Sequence, residues 1–381
     1  MKRMVLLLLT LALTLSLLPV ASRAAGLEVD AKSAVLMDVA TGMVLYESNA
    51  HEALPPASVT KVMTMLLIME AIDSGSLRWE DTVTVSETAA AKGGSQVYLK
   101  VGETMSVTDM VKSIAVSSAN DCACAMAEHI AGSESAFVEK MNARAKELGM
   151  ENTHFVNCTG LDDGENADQH RTSAYDIALM SRQLLKNHPD IKKFTTIWMD
   201  TIRDGTFGLS NTNKLVRFYP GTTGLKTGFT SAAGYCLSAS AEREGMELIA
   251  VTMGCESAKV RNAACKTMLD YGFASYALIT PTVPEDSFVK VELGVKDSVK
   301  AIPAVEGVML VEKSQKSLIR IQTQLEETVT APVSRGQRLG TMTVYAEEQV
   351  LSQIPLVAEE TVEKLSWGQV FVQLLRKLCM K

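Results

Sequence analysis

Apolar and polar positions alternate from residue 33 to residue 46 around Ala40-Thr41-Gly42, which predicts a β-hairpin. The pattern then changes. Over 58–73 the chain carries Val62, Met63, Met65, Leu66, Leu67, Ile68 and Met69, apolar on nearly every side, which predicts a helix buried in a core. Pro55-Pro56-Ala57 stiffens its entry. Ser106 with Asp109 three residues on is a capping box opening another helix. Further helices are expected over 121–130, over 135–148 before Gly149, and over 174–185. Short strands at 235–241 and 246–253 flank Glu242-Arg243-Glu244-Gly245, a second hairpin, and a helix over 257–271 follows. Beyond Pro281-Thr282-Val283-Pro284 short strands take over, at 288–293, 308–311, 318–323 and 341–345. The pattern therefore predicts a mixed α/β (α+β) domain over 25–280 and a small, mainly β domain over 281–362.

Both ends read differently. Lys2 and Arg3 precede an apolar run over 4–20, and Ser22-Arg23-Ala24-Ala25 offers small residues for cleavage, so residues 1–24 read as a secretory signal peptide. An uncleaved N-terminal anchor is the alternative. At the other end Trp367, Val370, Phe371, Leu374, Leu375 and Leu378 share one helical face, with Lys364, Gln373, Arg376, Lys377 and Lys381 opposite. Residues 363–381 thus form an amphipathic helix suited to a membrane surface, or else to packing on its own domain.

Composition narrows the function. In 381 residues, 37 basic against 44 acidic side chains give a net charge of −7, and losing residues 1–24 removes three basic groups more. An acidic chain with no basic stripe is no candidate for nucleic acid. Seven scattered cysteines form no disulfide framework, and buried thiols are expected for most. Five histidines, none in a metal-ligand pattern, imply no catalytic metal and no cofactor.

Three short motifs carry the chemistry: Ser58-Val59-Thr60-Lys61, Ser118-Ala119-Asn120 and Lys226-Thr227-Gly228. A serine hydroxyl needs a base to become a nucleophile. Lys61, one helical turn on, returns to the face of Ser58. In apolar surroundings near a second cation, such as Lys226, it can lose its proton near neutral pH. The N–H groups at the helix start can serve an oxyanion. Ser118 can pass a proton to a leaving group, and Asn120 can donate to a substrate amide. The strand beginning at Lys226 can accept an extended peptide along its edge, with Thr227 and a nearby arginine holding a carboxylate. Taken singly each motif has a plain reading: a helix cap with a solvated lysine, a polar loop, a strand start. Their joint occurrence in this order overturns all three.

In these motifs the chain resembles the low-molecular-mass penicillin-binding proteins that are serine-type D-alanyl-D-alanine carboxypeptidases. The likeness extends through Pro55-Pro56-Ala57-Ser58-Val59-Thr60-Lys61, Ser118-Ala119-Asn120-Asp121 (alanine for the usual glycine), Asn152-Thr153-His154-Phe155, Thr172-Ser173-Ala174-Tyr175-Asp176 and Leu225-Lys226-Thr227-Gly228-Phe229-Thr230. It implies a penicillin-recognising, β-lactamase-like domain, an antiparallel sheet flanked by helices, followed by a small all-β domain. It implies removal of the terminal D-alanine from peptidoglycan stem pentapeptides through an acyl-enzyme on Ser58, with Lys61 as base. The backbone N–H groups of Ser58 and Phe229 would hold the oxyanion. Thr227, Gly228, Phe229 and Arg261 would bind substrate, Arg261 at its terminal carboxylate. β-Lactams would acylate Ser58, and the enzyme would be exported to the outer face of the cytoplasmic membrane or the cell-wall space. Thr159 and Thr212 stand where some relatives carry basic residues.

Two other readings remain. A secreted serine β-lactamase would need a deacylating glutamate between the second and third motifs; Glu151 and Glu165 lie there, neither in an E-x-x-L-N context. A β-lactam sensor without turnover would need a signalling partner or membrane spans.

Overall fold

The computed structural model describes residues 27–162, 166–305 and 307–379. The expected signal peptide, Glu165 and Lys381 lie outside them. The strands are β1 (Ser33–Asp38), β2 (Val44–Ser48), β3 (Thr82–Thr84), β4 (Thr104–Ser106), β5 (Met199–Ile202), β6 (Phe207–Ser210), β7 (Thr222–Thr230), β8 (Gly234–Arg243) and β9 (Met246–Cys255) in one compact unit ending at Phe273. The second unit, from Ala274, holds β10 (Tyr276–Ile279), β11 (Phe288–Glu292), β12 (Ser298–Pro303), β13 (Met309–Glu312), β14 (Ile319–Leu325), β15 (Thr328–Thr330), β16 (Arg338–Ala346) and β17 (Gln349–Ala358).

The sheet of the first unit runs β2-β1-β9-β8-β7 and is antiparallel throughout. Both its faces are covered, so β1 is buried at every position. Val35 and Met37 join the main core with Met63, Leu66, Ile177 and Met180. On the alternate face Leu36 and Leu248 approach the helix Ala258–Ser275, where Gly272 lets the two layers touch: a Cβ there would lie 2.5 Å from Leu248. Lys61–Asp73 runs through the core, and its apolar run explains why every residue of its first two turns except half-buried Leu67 is buried.

The nucleophile helix starts differently from expectation. Ser58 lies in a 3-10 turn, Ala57–Thr60, and the α-helix begins only at Lys61. Pro56 accepts the N–H of Val59, and Ala57 adopts a left-handed φ of 48°, so the chain turns sharply just before the serine. The other helices fall close to the pattern: Val107–Ser117, Asn120–Ala131, Glu134–Glu147 and Ala174–Asn187. Ser106, Ser133 and Ser173 each cap the N–H three residues on.

In the second unit a six-stranded sheet, β14-β16-β17-β12-β11-β15, encloses its own core of Val289, Val299, Val333, Leu339, Met342 and Leu356. β3 to β6 of the first unit and β10, β12, β15 and β17 of the second were not evident in the sequence. Pro303 and Pro355 interrupt the strand pattern of β12 and β17, and β15 is only three residues long. The terminal helix Trp367–Cys379 leaves Trp367 92% and Phe371 62% exposed. Among the described residues no helix is long and apolar enough to cross a membrane.

Candidate active site

The turn Ala57–Thr60 leaves Ser58 half-buried and facing Lys61, whose Nζ lies 3.0 Å from Ser58 Oγ. Lys61 itself is fully buried. Its Nζ donates to the carbonyl of Thr159 at 2.7 Å, so a neutral amine keeps its lone pair for the serine proton. Burial pushes Lys61 down to about 7, against the opposing charge of Asp121. Lys226, also fully buried, is pushed well below its ordinary value by burial, then by Lys61 and by Arg261. The two lysine amines and the Arg261 guanidinium thus share one desolvated cluster, in which burial and mutual repulsion disfavour charge on the lysines.

Ser118 closes the helix Val107–Ser117 in a left-handed conformation, φ 63°, and is 3% exposed. Asn120 opens the next helix; its N–H donates to Ser95 O, and its Nδ2 to Gly93 O, both at 2.7 Å. The carbonyl of Gly93 fixes the orientation of the amide. What is left buried and unpaired is therefore Oδ1, an acceptor. Asn120 was expected to donate to the substrate amide; the atom free to meet a substrate N–H is an oxygen. Asp121 accepts the N–H groups of Val97 and Leu99, each at 3.1 Å, which ties the 93–99 loop to this turn.

β7 brings in the third motif. Gly228 admits the nucleophile turn: a Cβ there would lie 2.7 Å from Pro56 O and 3.1 Å from Ser58 N. Thr227 Oγ1 donates to Thr212 Oγ1 at 2.7 Å, and Thr212 N–H donates to Val116 O. Thr212 therefore bridges the third motif to the helix end that carries Ser118, a role its sequence did not reveal. Phe229, 53% exposed, stacks on Tyr235 at 4.3 Å, and the Arg261 guanidinium lies 5.8 Å from the Tyr235 ring. Arg261 is 6% exposed, donates from Nε to Asn262 Oδ1, and has no carboxylate partner among the described residues. A buried guanidinium without a counter-ion is a ready carboxylate site.

All nine candidate residues thus belong to one unit, and contacts, close approach or shared charge link the three motifs there. Two readings of the cysteines and metal also bear on the site. Cys122, Cys124, Cys158, Cys236, Cys255 and Cys265 are buried free thiols, and no metal-ligand cluster occurs among the described residues. Glu151 sits exposed in a turn after Glu134–Glu147. Sequence reasoning gave no role to Thr60, Gly160 or His170, which support Ser58 from behind; Thr60 lies within the first motif, whereas His170 lies outside all three.

The chain matches the family model described as D-alanyl-D-alanine carboxypeptidase over residues 20–257, and that of the penicillin-binding protein 5 C-terminal domain over residues 279–364. It is 44% identical over 350 residues to D-alanyl-D-alanine carboxypeptidase DacF of Bacillus subtilis (strain 168), covering 90% of this chain and 88% of that one. Penicillin-binding protein 5 of Haemophilus influenzae superposes with a TM-score of 0.77 at 30% identity, over 90% of this chain and 100% of that one. Penicillin-binding protein D2 of Listeria monocytogenes, in its ampicillin-bound form, does so with a TM-score of 0.59 at 33% identity, over 65% and 99%.

Proposed function

The chain belongs to the D-alanyl-D-alanine carboxypeptidase family and is a serine peptidase; from that premise we propose how its own residues remove the terminal D-alanine from peptidoglycan stem peptides. The free carboxylate of the substrate meets Arg261 and Thr227, whose hydroxyl turns from Thr212 to the incoming anion. The peptide lies along β7 beside Gly228, with its penultimate N–H on Asn120 Oδ1. Neutral Lys61 takes the proton of Ser58 as Oγ attacks the carbonyl carbon. The N–H groups of Ser58 and Phe229 hold the oxyanion, each such donor being worth about 10²–10³ in rate. Ser118 relays the proton taken up by Lys61 to the departing amine, which returns Lys61 to its neutral form, Lys226 offsets the growing negative charge, and D-alanine leaves. Water, activated again by Lys61, hydrolyses the ester. A β-lactam enters as the same kind of acyl donor and acylates Ser58.

The observation that carries this reading is the 3.0 Å approach of a fully buried lysine to Ser58 Oγ. A solvated lysine would stay charged and could take no proton. Incubation with a diacetyl-Lys-D-Ala-D-Ala peptide and with a penicillin tests it. D-Alanine release with slow penicillin turnover supports the carboxypeptidase. Fast penicillin hydrolysis without D-alanine release would select a lactamase instead.

The same proposal includes export after loss of residues 1–24, a catalytic domain over 25–280 and a β domain over 281–362. It places the enzyme at the outer face of the cytoplasmic membrane, held by the terminal helix. The exposure of Trp367, Phe371 and Leu375 supports that placement, because a helix packed on its own domain would cover them.

A further inference from the structure

We infer that His170 is a positioning residue for the oxyanion hole: acting through Thr60, it fixes the Ala57–Ser58 peptide plane and aims the Ser58 N–H into the cleft. The inference rests on the reading that Ser58 is the acylated residue.

His170 is 3% exposed and stands outside the three motifs. Its Nδ1 receives the backbone N–H of Val156 at 3.1 Å. A backbone N–H can only donate, so Nδ1 carries no proton and the ring proton sits on Nε2. Nε2 lies 2.8 Å from Thr60 Oγ1 and donates to it. Thr60 then spends its own hydroxyl proton on the carbonyl of Ala57, also at 2.8 Å. Every proton in the chain Val156 to His170 to Thr60 to Ala57 is directed, and only the neutral ring can sustain it. Burial favours that form, pushing His170 down to about 4.

The carbonyl at the end of this chain shares its peptide plane with the N–H of Ser58. In a trans peptide the two point in opposite directions. Holding Ala57 O inward therefore points Ser58 N–H outward, towards β7, where Ser58 N stands 3.1 Å from the space a Gly228 side chain would fill. Gly160 secures the inner side: a Cβ there would lie 1.8 Å from Ala57 O and 2.8 Å from Thr60 Oγ1. The left-handed Ala57 needs such support, since that conformation is uphill for a residue with a Cβ. The same 156–160 segment presents Thr159 O to Lys61. His170, anchored by Val156 of that segment, thus braces the oxyanion donor beside the stretch of chain that also meets the base.

The test measures pseudo-first-order acylation by excess fluorescent penicillin, alongside kcat and KM for a D-Ala-D-Ala peptide. That rate constant reads only folded sites, so partial unfolding does not imitate an effect. Thr60→Val should slow acylation about 10- to 100-fold, less than deleting an oxyanion donor outright. The loss should fall on kcat and leave KM near wild type, because the oxyanion exists only in the transition state. Thr60→Ser keeps the hydroxyl and should stay within about threefold of wild type. His170→Phe should slow acylation as Thr60→Val does, and combining the two should add no more than about threefold. Wild-type acylation by Thr60→Val, a loss confined to KM, or additive losses in the double variant would overturn the inference. Wild-type protein that neither labels nor releases D-alanine would instead overturn the underlying assignment of Ser58.

Discussion

Lys61→Met should make the protein more stable at neutral pH while abolishing its activity. In the unfolded chain Lys61 holds its proton up to about 10.5; in the folded protein it loses it above about 7. Folding at neutral pH therefore releases a proton and is disfavoured. The cost is absent above 10.5 and grows as the pH falls towards 7, at about 1.4 kcal/mol per pH unit, reaching on the order of 4 kcal/mol at pH 7. Methionine removes that cost and fills a similar volume. It also leaves Thr159 O without its donor, which costs about 1–3 kcal/mol. The balance at pH 7 is a stabilisation of roughly 1–3 kcal/mol, or several degrees in Tm for a unit of this size. Denaturant unfolding of both proteins at pH 7 and near pH 10.5 checks it. The advantage of the variant should shrink with rising pH and change sign near the upper limit, where only the lost hydrogen bond remains. A variant less stable than wild type at pH 7, or a difference that ignores pH, would refute the buried neutral lysine.

The wild-type rate of penicillin acylation should rise with pH through about 7 and fall roughly tenfold per unit below it, as neutral Lys61 is depleted; a flat profile there would count against it as base. Arg261→Ala should weaken release from peptides with a free terminal carboxylate far more than turnover of an amidated peptide, since only the former offers the guanidinium two oxygens; equal losses would make Arg261 structural. Gly228→Ala should cut acylation by about 100-fold, because its Cβ would press on Pro56 O and push the nucleophile turn aside; unchanged labelling would show that the turn yields freely. Deleting residues 364–381 should abolish sedimentation with anionic vesicles and leave peptide turnover intact, and a full-length protein that fails to sediment would end the anchor proposal.

The sequence made the first unit legible because its elements carry strong local signals. Ser106 and Ser173 cap helices, and the run from Val62 to Met69 can only be buried. The nucleophile and its base were legible because a one-turn spacing on a helix is nearly rigid geometry. What stayed hidden depends on contacts between distant segments. His170 reaches Thr60 across 110 residues, and Thr212 reaches Thr227 across 15 residues that include the short helix Leu215–Phe218. The direction of the Asn120 amide was also invisible, since it is set by the carbonyl of Gly93. In the second unit the prolines of β12 and β17 mask strands that tertiary pairing nevertheless enforces.

The most direct test of the account is where penicillin attaches. Intact-mass and peptide mapping of the labelled protein should place a single acyl group on Ser58, and Ser58→Ala should abolish both that adduct and release of D-alanine from a D-Ala-D-Ala peptide. An adduct that persists in Ser58→Ala, or that maps to Ser118, would contradict it.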